Sequence, residues 1–345
     1  MIVKNAFPCQ GKKENEKIPG YFHSFKQFQL AEVSASIYLF GVLSLSTSYL
    51  VTANASGADL VRRLAALDIS EIELSYRIDE ECFLDIRQAL NRSRLQVSSV
   101  HNFFPIPASA PNGKGGGDVF LLSHPAVEER CKAVQWTKRS IELACAVRAK
   151  AVVLHCGRIE MNAERERLYA FFRNGQINCP QVQNFVHKKL AEREKEKSVY
   201  LDNVLRSLED LIPTAEQNDI ILGLENRYHY HELPGPDEFE IIFEKFAGAP
   251  IGYWHDTGHA HAQESLGIIP ADGLLKRYHK NLVGMHIHDA RGLDDHLPPG
   301  SGEIDFKKIE NWIGDDTLKV IELKLGTPDS EVASGIHYLA QKMKT

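Results

Sequence analysis

Residues 220–256 read Ile-Ile-Leu-Gly-Leu-Glu (220–225), Asn-Arg-Tyr-His-Tyr-His (226–231), Pro-Asp-Glu-Phe-Glu-Ile-Ile-Phe-Glu-Lys-Phe (236–246) and Gly-Tyr-Trp-His-Asp (252–256). A short apolar run closing on a carboxylate, a helical pattern, and a second apolar run closing on a carboxylate make a strand–helix–strand unit. Moving outward in both directions, the same alternation recurs. Strands are expected at Tyr38–Ser46, Glu71–Ser75, Leu95–His101, Ala151–His155, Ile220–Glu225, Gly252–Asp256, Val283–His288 and Lys319–Leu323. The intervening helices are expected at Ala58–Leu67, Glu80–Asn91, Pro125–Ala149, Tyr200–Asn218, Pro236–Phe246, Ala260–His279, Asp305–Ile313 and Asp329–Lys342.

Eight strand–helix repeats in a chain of 345 residues predict an α/β fold, a single-domain (β/α)8 barrel of the TIM type. No Gly-x-Gly-x-x-Gly follows a strand, so nothing supports a dinucleotide fold. The barrel is expected to span residues 37–345, with residues 1–36, which show no clear period, as an N-terminal extension. Two strands are followed by long connections, Asn102–His124 and Cys156 to about Glu196, which in a barrel stand over the C-terminal face. The charged run Lys188–Lys197 reads as a solvated helix with i,i+4 pairs.

Nine of the fifteen histidines fall between His229 and His296, most beside carboxylates. Imidazoles crowded with carboxylates make a divalent-metal site the first hypothesis. The candidates also share a position in the fold. His101 ends strand three, His155 strand four, Glu225 strand five, Asp256 strand six, His286 strand seven and Glu322 strand eight, and in a parallel barrel those ends converge on one face. His259, Asp294 and His296 join them from adjoining loops. Alternation puts His288 on the face of His286, as a substrate or supporting contact, and turns His255 away into the packing between barrel and helices. Arg227, His229 and His231 lie in the loop over the site as candidate substrate contacts, equally readable as ordinary loop residues. Gly300 and Gly302, in Pro298-Pro-Gly-Ser-Gly302, are candidates for binding a substrate phosphate through backbone N–H groups, or simply parts of a tight loop.

Asn-Arg after the strand-five glutamate, His255-Asp-Thr-Gly-His259, His286-Ile-His-Asp289, Asp294-Asp-His-Leu-Pro-Pro-Gly-Ser-Gly-Glu-Ile-Asp-Phe306 and the terminal Ile321-Glu322 resemble the xylose-isomerase-like TIM-barrel superfamily. That group holds sugar and sugar-phosphate isomerases and epimerases, some dehydratases, and the endonuclease IV class. In the isomerase branch the resemblance implies one divalent ion, zinc or manganese first and cobalt or iron next, held by Glu225, Asp256, His286 and Glu322. Glu225 and Glu322 would then be the acid/base pair for proton transfer through a metal-stabilised enediolate. In the endonuclease IV branch it implies two or three ions cutting a phosphodiester, held by His101, His155, Glu225, Asp256, His259, His286, Asp294, His296 and Glu322. Cys156-Gly157 stands where that branch has Pro-Gly, and the loops after strands three to five do not read as its DNA-gripping loops. The isomerase or epimerase branch is therefore the leading expectation.

Composition bounds the partners. A 43% apolar, 25% charged chain of net charge −6 reads as a globular protein acting on a small molecule, a sugar or sugar phosphate. It carries no bulk basic field for nucleic acid, although a local basic groove would be compatible with that total. The six cysteines include no Cys-x-x-Cys pair and read as free thiols of a reducing cytoplasm. The stretch Ile37–Ala53 carries too many hydroxyl side chains for a membrane span. Oligomeric state has no sequence signature.

Overall fold

A computed structural model describes residues 42–52, 55–111 and 115–343. The expected N-terminal extension, and the first residues of the expected first strand, lie outside these.

Eight parallel strands close into a barrel: β1 (Leu43–Ser46), β2 (Glu71–Leu74), β3 (Gln96–His101), β4 (Ala151–Leu154), β5 (Ile221–Glu225), β6 (Ile251–Asp256), β7 (Leu282–Ile287) and β8 (Leu318–Ile321). Each pairs with its neighbour in sequence, and β1 pairs with β8 at Leu43 opposite Lys319 to complete the ring. Val/Ile/Leu-rich outward faces meet the surrounding helices in one continuous core that runs from Leu45 through Val152 and Leu222 to Ile321.

The barrel interior holds a second, smaller apolar layer of Ala151, Val153, Trp254, Leu318 and Val320. Trp254 is fully buried, and the strands on either side make room for it with glycine. A Cβ on Gly284 would lie 2.1 Å from the indole ring, and one on Gly223 2.7 Å away. The indole therefore plugs the barrel and forms the floor on which the C-terminal strand ends stand. His286 rests on it edge to face, with ring centroids 5.3 Å apart.

The charged run Lys188–Lys197 is helical as expected, with the i,i+4 pair Lys188–Glu192, within one 39-residue helix, Pro180–Asn218; the helices depart from expectation in two places, one of them on this run. Its Lys189 and Arg193 are buried: Arg193 donates to Glu238 Oε2 at 2.8 Å and to the Glu232 carbonyl at 3.0 Å, while Lys189 pairs with Glu164. Tertiary partners turned one face of a charged run inward. The expected helix Ala260–His279 is two, Thr257–Ser265 and Gly273–Tyr278, separated where Gly267 takes φ +69° and Pro270 follows.

A further helix, Arg165–Arg173, arises in the connection after β4. Its Leu168 packs with Val186, Tyr230 and Leu266 in a small core of its own, beside the loops that rim the C-terminal face. Among the described residues no helix is long and apolar enough to cross a membrane. Cys82, Cys131, Cys156 and Cys179 are free thiols, as expected.

Candidate metal centre and active site

Glu225, the last residue of β5, is the hub of the C-terminal face. Its Oε1 lies 2.8 Å from His286 Nδ1, and its Oε2 lies 2.6 Å from His155 Nε2 and 3.6 Å from His101 Nε2. His286 Nδ1 is also 3.1 Å from Glu322 Oε2 and 3.7 Å from Asp256 Oδ2. Four residues from four strand ends thus present ligand atoms that all lie within 4.8 Å of one another: Glu225, Asp256, His286 and Glu322.

All four are buried. Taking three carboxylates out of water costs several kcal/mol each unless positive charge sits among them. Burial pushes the Glu225 carboxyl up, but the adjacent His155 and His286 outweigh it and hold Glu225 well below the usual carboxylate range. Burial likewise opposes charge on His286, and Glu322, Glu73 and Glu225 overcome it, raising its pKa well above that of a free imidazole. At His155, burial and Arg227 pull downward, yet Asp118 and Glu225 win and push the pKa up to about 9.

The buried acids and imidazoles thus stabilise one another's charged forms. The donor set fits a divalent cation, because carboxylate oxygens and imidazole nitrogens are the ligands that zinc, manganese, iron and cobalt share. Glu225 Oε2 is buried between His155 Nε2 and His101 Nε2, a lone-pair donor turned toward two other ligand candidates.

Around this centre the structure gathers three further ligand groups: His101, His155 and Glu225; Asp256, His288 and His296; and His259, Asp295 and His296. Eight of the nine sequence candidates are therefore brought together. Asp294 is not: it is exposed, and its carboxylate pairs with Lys324. The short hairpin of Asp289–Arg291 with Asp294–Leu297 turns Asp294 outward and its neighbour Asp295 inward, to 3.2 Å from His296 Nδ1. His288, expected as a substrate or supporting contact, places Nε2 3.0 Å from both oxygens of Asp256 and also belongs to one of these ligand groups. His255 is where alternation puts it, buried behind the sheet with Nδ1 2.7 Å from the Tyr253 hydroxyl.

The candidate substrate contacts divide. Arg227 is buried, with Nη2 2.7 Å from Asp118 Oδ2 and Nη1 3.7 Å from Glu225 Oε2, so it braces the centre more than it faces solvent. His229 is bonded on both ring nitrogens, to Arg165 Nη1 at 2.9 Å and to the Tyr169 hydroxyl. It ties the loop after β5 to helix Arg165–Arg173. His231 stacks on His229 and keeps a buried Nδ1 without a partner.

The phosphate reading of Gly300 and Gly302 fails. Their N–H groups donate to Asp289 Oδ2 at 2.9 and 2.8 Å, and those of Ala290 and Ile304 to Oδ1 at 2.9 and 3.0 Å. A buried carboxylate of the chain already fills the nest where an incoming anion would sit. A Cβ on Gly302 would fall 2.3 Å from Asp289 Oδ1, which is why glycine stands there.

Three site residues have no counterpart among the sequence candidates. Glu73, fully buried on β2, lies 3.2 Å from His286 Nε2. Strand alternation through Glu71-Ile-Glu73-Leu could have found it. Asp118 follows a glycine run in the loop after β3 and contacts His155 Nδ1 at 3.2 Å; an acid on a loop over the open face was its one signal. Asp295 was hidden by hairpin register.

A closed parallel barrel carrying Glu, Asp, His and Glu at the ends of β5 to β8 defines a class, and the family comparison agrees: the chain belongs to the xylose isomerase-like TIM barrel family, whose model matches residues 61–342. Its curated relatives include the uncharacterized protein y4fM of Sinorhizobium fredii, 24% identical over 71% of this chain and 67% of that one. Another is the uncharacterized protein MJ1311 of Methanocaldococcus jannaschii, 30% identical over 32% of this chain. That match spans only 39% of the length of MJ1311. Solved structures of the same fold include a D-tagatose 3-epimerase-like protein (TM-score 0.62, 18% identity, 88% of this chain and 97% of that one). The 3-keto-D-glucoside 4-epimerase YcjR of E. coli is similar as well (TM-score 0.62, 14% identity, 87% and 99%), as is an L-ribulose 3-epimerase (TM-score 0.57, 14% identity, 88% and 91%).

Proposed function

We propose that this protein is a divalent-metal-dependent isomerase or epimerase of unphosphorylated sugars, in which Glu225 and Glu322 move a proton to and from a carbon beside the sugar carbonyl. The observation that carries the reading is the placement of these two glutamates on either side of one histidine nitrogen. Glu225 Oε1 stands 2.8 Å and Glu322 Oε2 3.1 Å from His286 Nδ1. A paired-carboxylate arrangement suits a reaction in which one group removes a proton and the other returns one.

Glu225, Asp256, His286 and Glu322 would hold the ion, which supplies an electrophile for adjacent carbonyl and hydroxyl oxygens and so lowers the cost of charge developing on them. The rest is the work of the chain. Trp254 closes the floor. Arg227, clamped by Asp118, and His155 keep Glu225 ionised and oriented. His259, 12% exposed at its side chain, stands at the edge of the centre with Nδ1 3.9 Å from Glu225 Oε1. The capture of the loop amides by Asp289 favours a free sugar over a phosphorylated one, and the sugar-epimerase names of the structural neighbours support the substrate class. Free thiols and the absence of a spanning helix among the described residues are compatible with a cytoplasmic location.

A second reading, a phosphodiesterase with two or three ions, is favoured by the three additional ligand groups. Elemental analysis of purified protein separates the two: one ion per chain supports the isomerase, and three would sink it in favour of hydrolysis.

A further inference from the structure

We infer that Glu73 is a positioning residue that decides which nitrogen of His286 faces the metal centre. The inference rests on the reading that Glu225, Asp256, His286 and Glu322 hold an ion. It adds a residue that the ligand set does not contain.

Neutral imidazole carries one N–H, and only the bare nitrogen can ligate. Nδ1 of His286 is surrounded by acceptors: Glu225 at 2.8 Å, Glu322 at 3.1 Å and Asp256 at 3.7 Å. Left to those neighbours, the ring would keep its proton on Nδ1, the nitrogen that has to be bare. Glu73 supplies the opposing acceptor. Its Oε2 lies 3.2 Å from Nε2 and is itself anchored by the Ser99 hydroxyl at 2.8 Å. Both Glu73 and Ser99 are fully buried, so no water competes for the bond.

The ring cannot rotate away from this choice. Trp254 meets it edge on, and His101 stacks against it at 5.6 Å with an interplanar angle of 7°. A carboxylate bonded to the far nitrogen of a metal-ligating histidine fixes the ring's tautomer and raises its basicity. Glu73 Oε1 has no partner. A buried carboxylate with half its capacity unused adds little to the fold, and its cost is explained by what Oε2 does for His286.

The test uses the full-length protein and zinc. Zinc affinity is measured by competition with a chromophoric chelator for the wild type, Glu73→Met and Glu73→Gln. The Nε2–H proton of His286, whose resonance a bond to a carboxylate moves downfield, is read in each zinc-loaded protein by NMR. Glu73→Met removes the acceptor at similar volume and should weaken zinc 10- to 100-fold, with loss of that downfield Nε2–H signature. Glu73→Gln keeps an acceptor oxygen and should recover most of the affinity and the hydrogen-bonded Nε2–H signature. Should Glu73→Met not fold, Glu73→Gln still decides, because a hydrogen-bonded Nε2–H with near-wild-type affinity supports the role and a loss as large as that expected for Met overturns it. Wild-type affinity and an unchanged Nε2–H signature in folded Glu73→Met also overturn it. Zinc binding absent from the wild-type protein itself would instead bring down the proposed metal centre.

Discussion

Glu225 and Glu322 close on the same atom, His286 Nδ1, at 2.8 and 3.1 Å, although β5 and β8 are separated in the barrel by β6 and β7. Only the convergence of strand ends on one face allows that meeting. It places two carboxylates around the one point where an ion and a sugar's reacting carbon would have to be.

Removing the charge from either member should stop the chemistry and spare the fold. Glu225→Gln and Glu322→Gln are each expected to lower turnover of a responsive sugar by about 10²–10⁴, with the far-UV circular dichroism and barrel signature unchanged. Full activity in either variant would take that residue out of the proton-transfer pair.

Metal removal should act on stability as well as on rate. Exhaustive dialysis against a chelator is expected to abolish activity and lower the melting temperature, and re-addition of zinc or manganese to restore both. At free metal about a hundredfold over Kd the stabilisation is about 2.7 kcal/mol. Identical melting curves with and without metal would contradict an ion at the centre.

His255, which immediately precedes Asp256, predicts a pH dependence of stability. Burial holds its pKa down at about 4 against an ordinary 6.5. The unfolded chain therefore binds a proton that the folded chain refuses, and stability is present above about pH 6.5 and lost as pH falls toward 4. The loss attributable to this one imidazole is about 3 kcal/mol. Denaturant titrations of His255→Gln at pH 7 and pH 5 should show a drop smaller than the wild type's by about 2 kcal/mol, the part of that effect falling in this window, and an equal drop would assign the acid sensitivity elsewhere.

Asp289 carries a structural prediction. Four backbone N–H groups converge on its carboxylate, so Asp289→Asn, which turns one oxygen into a donor facing Gly300 and Gly302, should destabilise by about 2–4 kcal/mol. The wild type should show no preference for a phosphorylated sugar over the free one. A strong preference for the phosphorylated form would mean that the substrate's phosphate is held elsewhere.

How much of this was legible in the sequence depends on which force set each feature. The strand ends were readable because a period of two and the barrel's convergence place His101, His155, Glu225, Asp256, His286 and Glu322 without any knowledge of packing. Asp294 misled because a hairpin register one residue off exchanges the inward and outward side chains, and nothing local distinguishes Asp294 from Asp295. Lys189 and Arg193 looked solvated because their partners Glu164 and Glu238 lie 25 and 45 residues away. The Gly300 and Gly302 amides looked free because Asp289 reaches them only after the loop has closed.

The central claim is proton transfer on a sugar, and the most direct measurement is NMR of a panel of unphosphorylated ketoses and aldoses incubated in deuterium oxide with the zinc- or manganese-loaded protein. At least one sugar should be converted to its epimer or isomer, with solvent deuterium appearing on the carbon beside the carbonyl, and neither Glu225→Gln nor Glu322→Gln should do this. No conversion of any sugar, together with cleavage of an abasic-site or simple phosphodiester substrate by the same protein, would contradict it.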